Sequence, residues 1–179
     1  MAIKTFITGE VLTASDTNTY LTNSGLVYIK QQTVGSGVAS VTVSDAFSST
    51  YDSYLIIDTG GTMSSDTALT MQLGAQVTGY YYFLTYGTYS ASTVYGDNGS
   101  NLSAWNHAGG GGARSCYIEL QNPFLSVATE MRSRVRYGTV YGTEIGHTGT
   151  TTSFTSFKLT PISGTMTGGT IYVYGYRKA

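Results

Sequence analysis

Few residues in this chain are equipped for acid–base or nucleophilic work. His107 and His147 are the two histidines, and Cys116 is the one cysteine, in 179 residues. Nucleophilic catalysis needs a base within hydrogen-bond reach of a hydroxyl or thiol. His107 stands beside Gly109-Gly110-Gly111-Gly112, which reads as a flexible loop tip, and His147 stands among Gly and Thr. Both are expected to be polar loop residues. Cys116 alternates with Ile118 and Leu120, which predicts a buried, inert thiol. The glycine run continues into Ala113-Arg114 and lacks the Gly-Lys-Ser/Thr ending of a phosphate-binding loop. Asp97-Asn98-Gly99-Ser100 reads as a hairpin turn, because Asn-Gly tolerates positive φ. It lacks the spaced carboxylates of a calcium loop. Glu119, Glu130 and Glu144 fall on or near predicted strands, but nothing in their spacing selects a pair for glycoside hydrolysis, so a solvated position is expected for each. These readings predict no catalytic residues, no metal site and no cofactor.

Two patterns suit binding better. Arg132, Arg134 and Arg136 recur at period two, so they share one face of one strand. That ridge suits bidentate contacts to a partner's carboxylates; a merely solvent-facing strand is the competing reading. The aromatic set around Tyr80, Tyr81, Tyr82 and Trp105 fits a core or a subunit interface, where Tyr is enriched. The alternative is a sugar-stacking surface through Tyr80, Tyr82 and Trp105.

The elements that must position these residues are strands. The chain holds 29 Thr, 20 Ser and 23 Gly, together 72 residues, against only 9 Lys plus Arg and 10 Asp plus Glu. A net charge of −1 supplies no basic stripe for nucleic acid or an anionic membrane. With 16 Tyr and only 2 Pro, the composition favours β structure. No segment has the length of a membrane-spanning apolar run, and the start lacks the apolar core of a signal peptide, so use without secretion is expected. Alternation and short apolar runs predict strands over 26–33, 38–44, 51–58, 68–73, 79–86, 113–121, 129–137, 153–160 and 169–177. Gly60-Gly61 reads as a turn. The expectation is an all-β, antiparallel β-sandwich (jelly-roll-like) of about nine to ten strands over 26–179. An N-terminal arm precedes it over 1–25. In the arm, Thr13-Ala14-Ser15-Asp16 fits a capping box opening a short helix over 14–22, stopped at Asn23-Ser24-Gly25. A helix this short needs a docking surface.

Three segments carry a resemblance. Residues 5–21, Thr-Phe-Ile-Thr-Gly-Glu-Val-Leu-Thr-Ala-Ser-Asp-Thr-Asn-Thr-Tyr-Leu, and residues 163–177, Ser-Gly-Thr-Met-Thr-Gly-Gly-Thr-Ile-Tyr-Val-Tyr-Gly-Tyr-Arg, resemble the arm and last strand of small structural proteins of tailed bacteriophages. Residues 50–56, Thr-Tyr-Asp-Ser-Tyr-Leu-Ile, are similar too. Together they span 39 of the 179 residues. The resemblance implies a non-enzymatic virion protein, placed on the outer surface of the head as a capsid decoration (cement) protein. It would be synthesised in the bacterial host cytoplasm. Its implied partners are the major capsid protein and further copies of itself, as a homotrimer. Phe6, Val11, Leu12, Asp16, Asn18, Tyr20 and Leu21 are the expected anchoring residues. A tail-fibre protein that attaches to host glycans is the alternative.

Overall fold

The structure is a computed structural model that describes residues 7–16 and 25–178. It is almost wholly β, with one helical turn, α1 (Ala14–Asp16), and thirteen strands. In chain order these are β1 (Leu26–Thr33), β2 (Val41–Val43), β3 (Tyr51–Met63), β4 (Ala68–Leu73), β5 (Tyr80–Thr88), β6 (Ala91–Leu102) and β7 (Trp105–Gly110). They continue with β8 (Ala113–Gln121), β9 (Glu130–Tyr137), β10 (Val140–Thr148), β11 (Phe157–Pro161), β12 (Met166–Thr167) and β13 (Thr170–Arg177).

The strands form two antiparallel layers of unequal width. The large sheet runs β1-β13-β3-β8-β9-β10-β5-β6, with β12 extending the edge of β3. The small sheet runs β2-β11-β4-β7. A single rung, Gly110↔Ser115, joins β7 to β8 and links the layers. β7 packs across β9 rather than beside it, so the assembly is a sandwich that remains open at its edges.

The core lies between the layers. Leu69, Met71 and Leu73 of β4 point inward and are fully buried, as their alternation predicts. Ile118 and Leu120 of β8 and Met131 and Val135 of β9 meet them from the large sheet. Each such side chain contributes about 1.5–3 kcal/mol by leaving water. Tyr54-Leu55-Ile56 is buried on both faces of β3, as its continuous apolar run predicts.

Four strands, β6, β7, β10 and β12, were not predicted, which accounts for thirteen rather than nine or ten. Asp97-Asn98-Gly99-Ser100 is not a turn but lies inside β6. The hairpin from β5 reverses instead at Tyr89-Ser90, and Asp97 serves as acceptor for the Tyr82 hydroxyl at 3.0 Å. Gly60-Gly61 is likewise no turn: the register of β3 against β8 shifts between Asp58 and Gly61, and the strand continues to Met63. Nor is the four-glycine run a mobile tip. Gly109 and Gly110 end β7, buried, with φ of 149° and 144°. A Cβ on Gly110 would strike the Thr67 carbonyl, so only glycine lets β7 lie this close to the chain before β4.

In the arm, the predicted capping box is formed. Thr13 Oγ1 accepts from Asp16 N and Asp16 Oδ2 accepts from Thr13 N, each at 3.1 Å. The rest of the expected helix over 17–22 and its stop at Asn23-Ser24 lie outside the described residues. Gly25, with φ of 85°, has the left-handed backbone expected of it.

Candidate functional site: two buried clamps and an uncovered sheet face

Among the described residues two charged pairs are buried, one built by strand register and the other by the packing of the two layers. Asp58 of β3 sits opposite Cys116 of β8, and Arg114 lies two residues before Cys116 on the same inward face. Arg114 Nε donates to Asp58 Oδ2 at 2.5 Å and its Nη2 donates to Oδ1 at 3.0 Å. Nη2 also donates to the Gly168 carbonyl at 2.7 Å. Both side chains are wholly buried. Burial pushes the Asp58 carboxyl up, and the fork of hydrogen bonds and charge from Arg114 pulls it part of the way back. The clamp ties β3 at its bulge to β8 and to the turn before β13. Cys116 lies beside it, buried as predicted, and burial and the Asp58 charge hold its thiol far above the usual range. It is therefore no nucleophile at neutral pH.

His107 corrects its expected loop position. It lies in β7, 6% exposed, and its Nδ1–H donates to Glu144 Oε2 of β10 at 2.9 Å. Its ring stacks on Tyr137 and meets Tyr82 edge-on. Ser133 Oγ donates to the His107 carbonyl at 2.6 Å. Glu144, expected on the solvated surface, is instead fully buried, and its Oε1 has no hydrogen-bond partner. Burial raises its carboxyl above the usual range; the hydrogen bond and charge of His107 oppose that rise. This pair joins the small sheet to the large one across the core. Among the described residues, no hydroxyl or thiol nucleophile is hydrogen-bonded to either histidine ring, and no three His, Cys, Asp or Glu side chains converge as metal ligands.

The sugar-stacking residues are also corrected. Tyr80 and Trp105 are 0% exposed and Tyr82 8%. Tyr80 and Trp105 pack edge to face at 5.0 Å, and Trp105 Nε1 donates to the Tyr81 carbonyl at 3.2 Å. The indole crosses directly over Gly146, where any Cβ would collide with it. Burial pushes the Tyr80 and Tyr82 hydroxyls up to about 12. Side chains placed this way are core, not platform.

The arginine ridge lies where period two put it. Arg132 and Arg134 are exposed and Arg136 half-buried, while Met131, Ser133 and Val135 between them are buried. The ridge stands at the middle of the outer face of the large sheet. On one side Arg132 faces Glu119 in register, the Arg134 guanidinium covers the Tyr117 ring at 4.1 Å, and the Tyr176 hydroxyl donates to Glu119 at 3.2 Å. On the other side Arg132, Arg134 and Arg136 face Ile145, Thr143 and Tyr141. Shallow depressions follow this face. One is lined by Tyr117, Arg134, Arg136 and Tyr141, another by Glu119, Arg132 and Ile145, and a third by Tyr81, Phe83, Glu130 and His147.

Of the expected anchoring residues, Val11 and Leu12 are 78% and 49% exposed, as is their neighbour Ile7 at 73%. Asp16 is held in the capping box. Phe6, Asn18, Tyr20 and Leu21 lie outside the described residues. Arg114 was missed as a structural residue, although its period-two relation to Cys116, Ile118 and Leu120 places it on the inward face. Comparison with protein-family models, with curated proteins and with solved structures gave no match.

Proposed function

We propose that this chain is a non-enzymatic structural protein of a bacteriophage virion, a capsid decoration protein that braces the head by contacting major capsid proteins. The observation that carries the reading is the arm. A capped turn precedes a tightly clamped β-sandwich, and its apolar side chains Ile7, Val11 and Leu12 are left largely in water. Apolar side chains at such exposure, on a segment too short to fold alone, gain most by lying against another subunit. The likeness of residues 5–21 and 163–177 to phage structural proteins supplies the kind of subunit. The buried charged pairs act as clamps, so the chemistry that remains at the surface is adhesion. The tail-fibre alternative loses the residues assigned to it, because Tyr80, Tyr82 and Trp105 lie in the core.

Quantitative mass spectrometry of purified virions tests the reading. A copy number comparable to that of the major capsid protein is expected. A few per cent of that number would move the chain to the tail, and absence from the particle would refute both locations. Deleting residues 2–24 is expected to abolish capsid binding while the sandwich still folds.

A further inference from the structure

β10 is amphipathic the wrong way round for a strand whose outer face meets only water. Inward it carries Gly142, Glu144 and Gly146; outward it carries Tyr141, Thr143, Ile145 and His147. Ile145 is 61% exposed and faces Phe83, itself 56% exposed, in register. Tyr141 and Val94 flank Gly87 from either side, and Tyr89 meets Tyr141 edge-on. Two apolar rows, separated by Thr143 and Thr85, are thus gathered on one face and bordered by the three arginines of β9. Exposed apolar residues scattered singly are ordinary, but two rows of large side chains gathered on one face mark a contact surface. Its makeup, aromatic rings and Arg without Lys, is that of an interface core.

We propose that this face is a self-association surface, covered by the same face of a second copy about a two-fold axis running along β10. Charge and register select that occupant. The face already holds Glu119 and Glu130 beside its three arginines, so a uniformly acidic partner would be repelled where it is not attracted. A two-fold axis along β10 lays β10 on its counterpart and β9 of each copy on β5 of the other. Ile145 then meets Ile145, and Arg132 comes over the Phe83 ring, where a guanidinium is favoured. The two arginine ridges fall on opposite sides of the axis, about 10 Å apart laterally at a strand spacing of about 4.8 Å. On the flank, Asn98 of β6 meets Glu119 of β8, so an amide N–H faces a carboxylate. The five strands from β8 to β6 offer a footprint of roughly 24 by 23 Å. With side-chain relief this approaches the roughly 800 Å² per partner of a specific interface.

The test uses the full chain in solution. Light scattering is expected to give twice the 19.0 kDa chain mass. Ile145→Asp should return the single-chain mass at concentrations where the wild type is paired, weakening association at least about tenfold. Ile145 is largely in water within one chain, so thermal unfolding that matches the wild type at dilutions where both are single chains verifies that this variant is folded, and Arg132→Glu provides a second. A residue on a two-fold axis meets its own counterpart. Thr143→Cys should therefore be joined to itself by a short bismaleimide, and Val127→Cys, exposed elsewhere, should not; the native Cys116 is buried. A single-chain mass for the wild type up to roughly 100 µM would overturn the proposal. So would a three-chain mass, the homotrimer that the phage resemblance implies, or pairing that survives Ile145→Asp. None of these readouts depends on where in a virion the chain resides.

Discussion

The two faces of the large sheet are built from the same strands and teach opposite lessons. On the inner face of β9, β10 and β5, side-chain volumes are matched to the layer above: Gly146 lies flat beneath Trp105, Leu84 is buried, and Glu144 reaches His107. On the outer face, the residues between these carry Arg132, Ile145 and Phe83 in one row, all exposed. The inner face uses small, polar and apolar residues alike because each has a specific partner. The outer face holds the strong binders, arginine and aromatic rings, with no other strand among the described residues laid over them. Burial decides which face stabilises the fold, and residue type alone does not.

That contrast can be broken most forcefully at the Asp58–Arg114 clamp. Arg114→Ala leaves a carboxylate buried without its cation, and an expected loss of about 3–5 kcal/mol should appear in chemical denaturation. Neighbours on β5 give the next largest separation. Leu84→Ala should cost about 2–5 kcal/mol, whereas Phe83→Ala, one residue along and facing outward, should stay within about 0.5 kcal/mol when measured on the single chain at high dilution. Equal losses would erase the distinction between the faces.

Titration sharpens the comparison on the inner side. The raised carboxyl of Glu144 means that the folded state holds its proton more tightly than the unfolded chain. This contribution to stability is intact below the ordinary glutamate range and is lost as pH rises through the raised value. Glu144→Gln should flatten that fall. Tyr80 has the same sign at high pH: its hydroxyl is raised from 10.0 to about 12, so stability falls between those values, less so in Tyr80→Phe. The smallest effect belongs to the ridge. Arg134→Lys should change thermal stability by about 0.5 kcal/mol or less, since a surface cation over the Tyr117 ring contributes little on its own.

What was legible in the sequence follows from the same division. β4 and β8 match their predicted bounds, because their apolar residues alternate and point inward. The arginine ridge was equally legible, since period two fixes the face whatever covers it. β10 escaped because its central inward positions, Gly142, Glu144 and Gly146, are two glycines and a glutamate, which no apolar pattern marks. Asn98-Gly99 misled for a related reason. Turn propensity is local, whereas the ladder between β5 and β6, with Gly99 opposite Tyr82, is set by tertiary pairing. The His107–Glu144 pair was invisible because its partners, 37 residues apart, are joined only by the stacking of two layers.

The pairing of β1 with β13 has a consequence for timing. The strand that follows the arm finds its neighbour only in the last strand of the sheet, and β13 in turn closes onto β3. Contacts so distant along the chain form late and slowly. A nascent or truncated chain therefore holds its arm on an untethered strand, and the arm acquires a fixed base only at the closing step. Display of the segment proposed as the anchor is in this way coupled to completion of the fold.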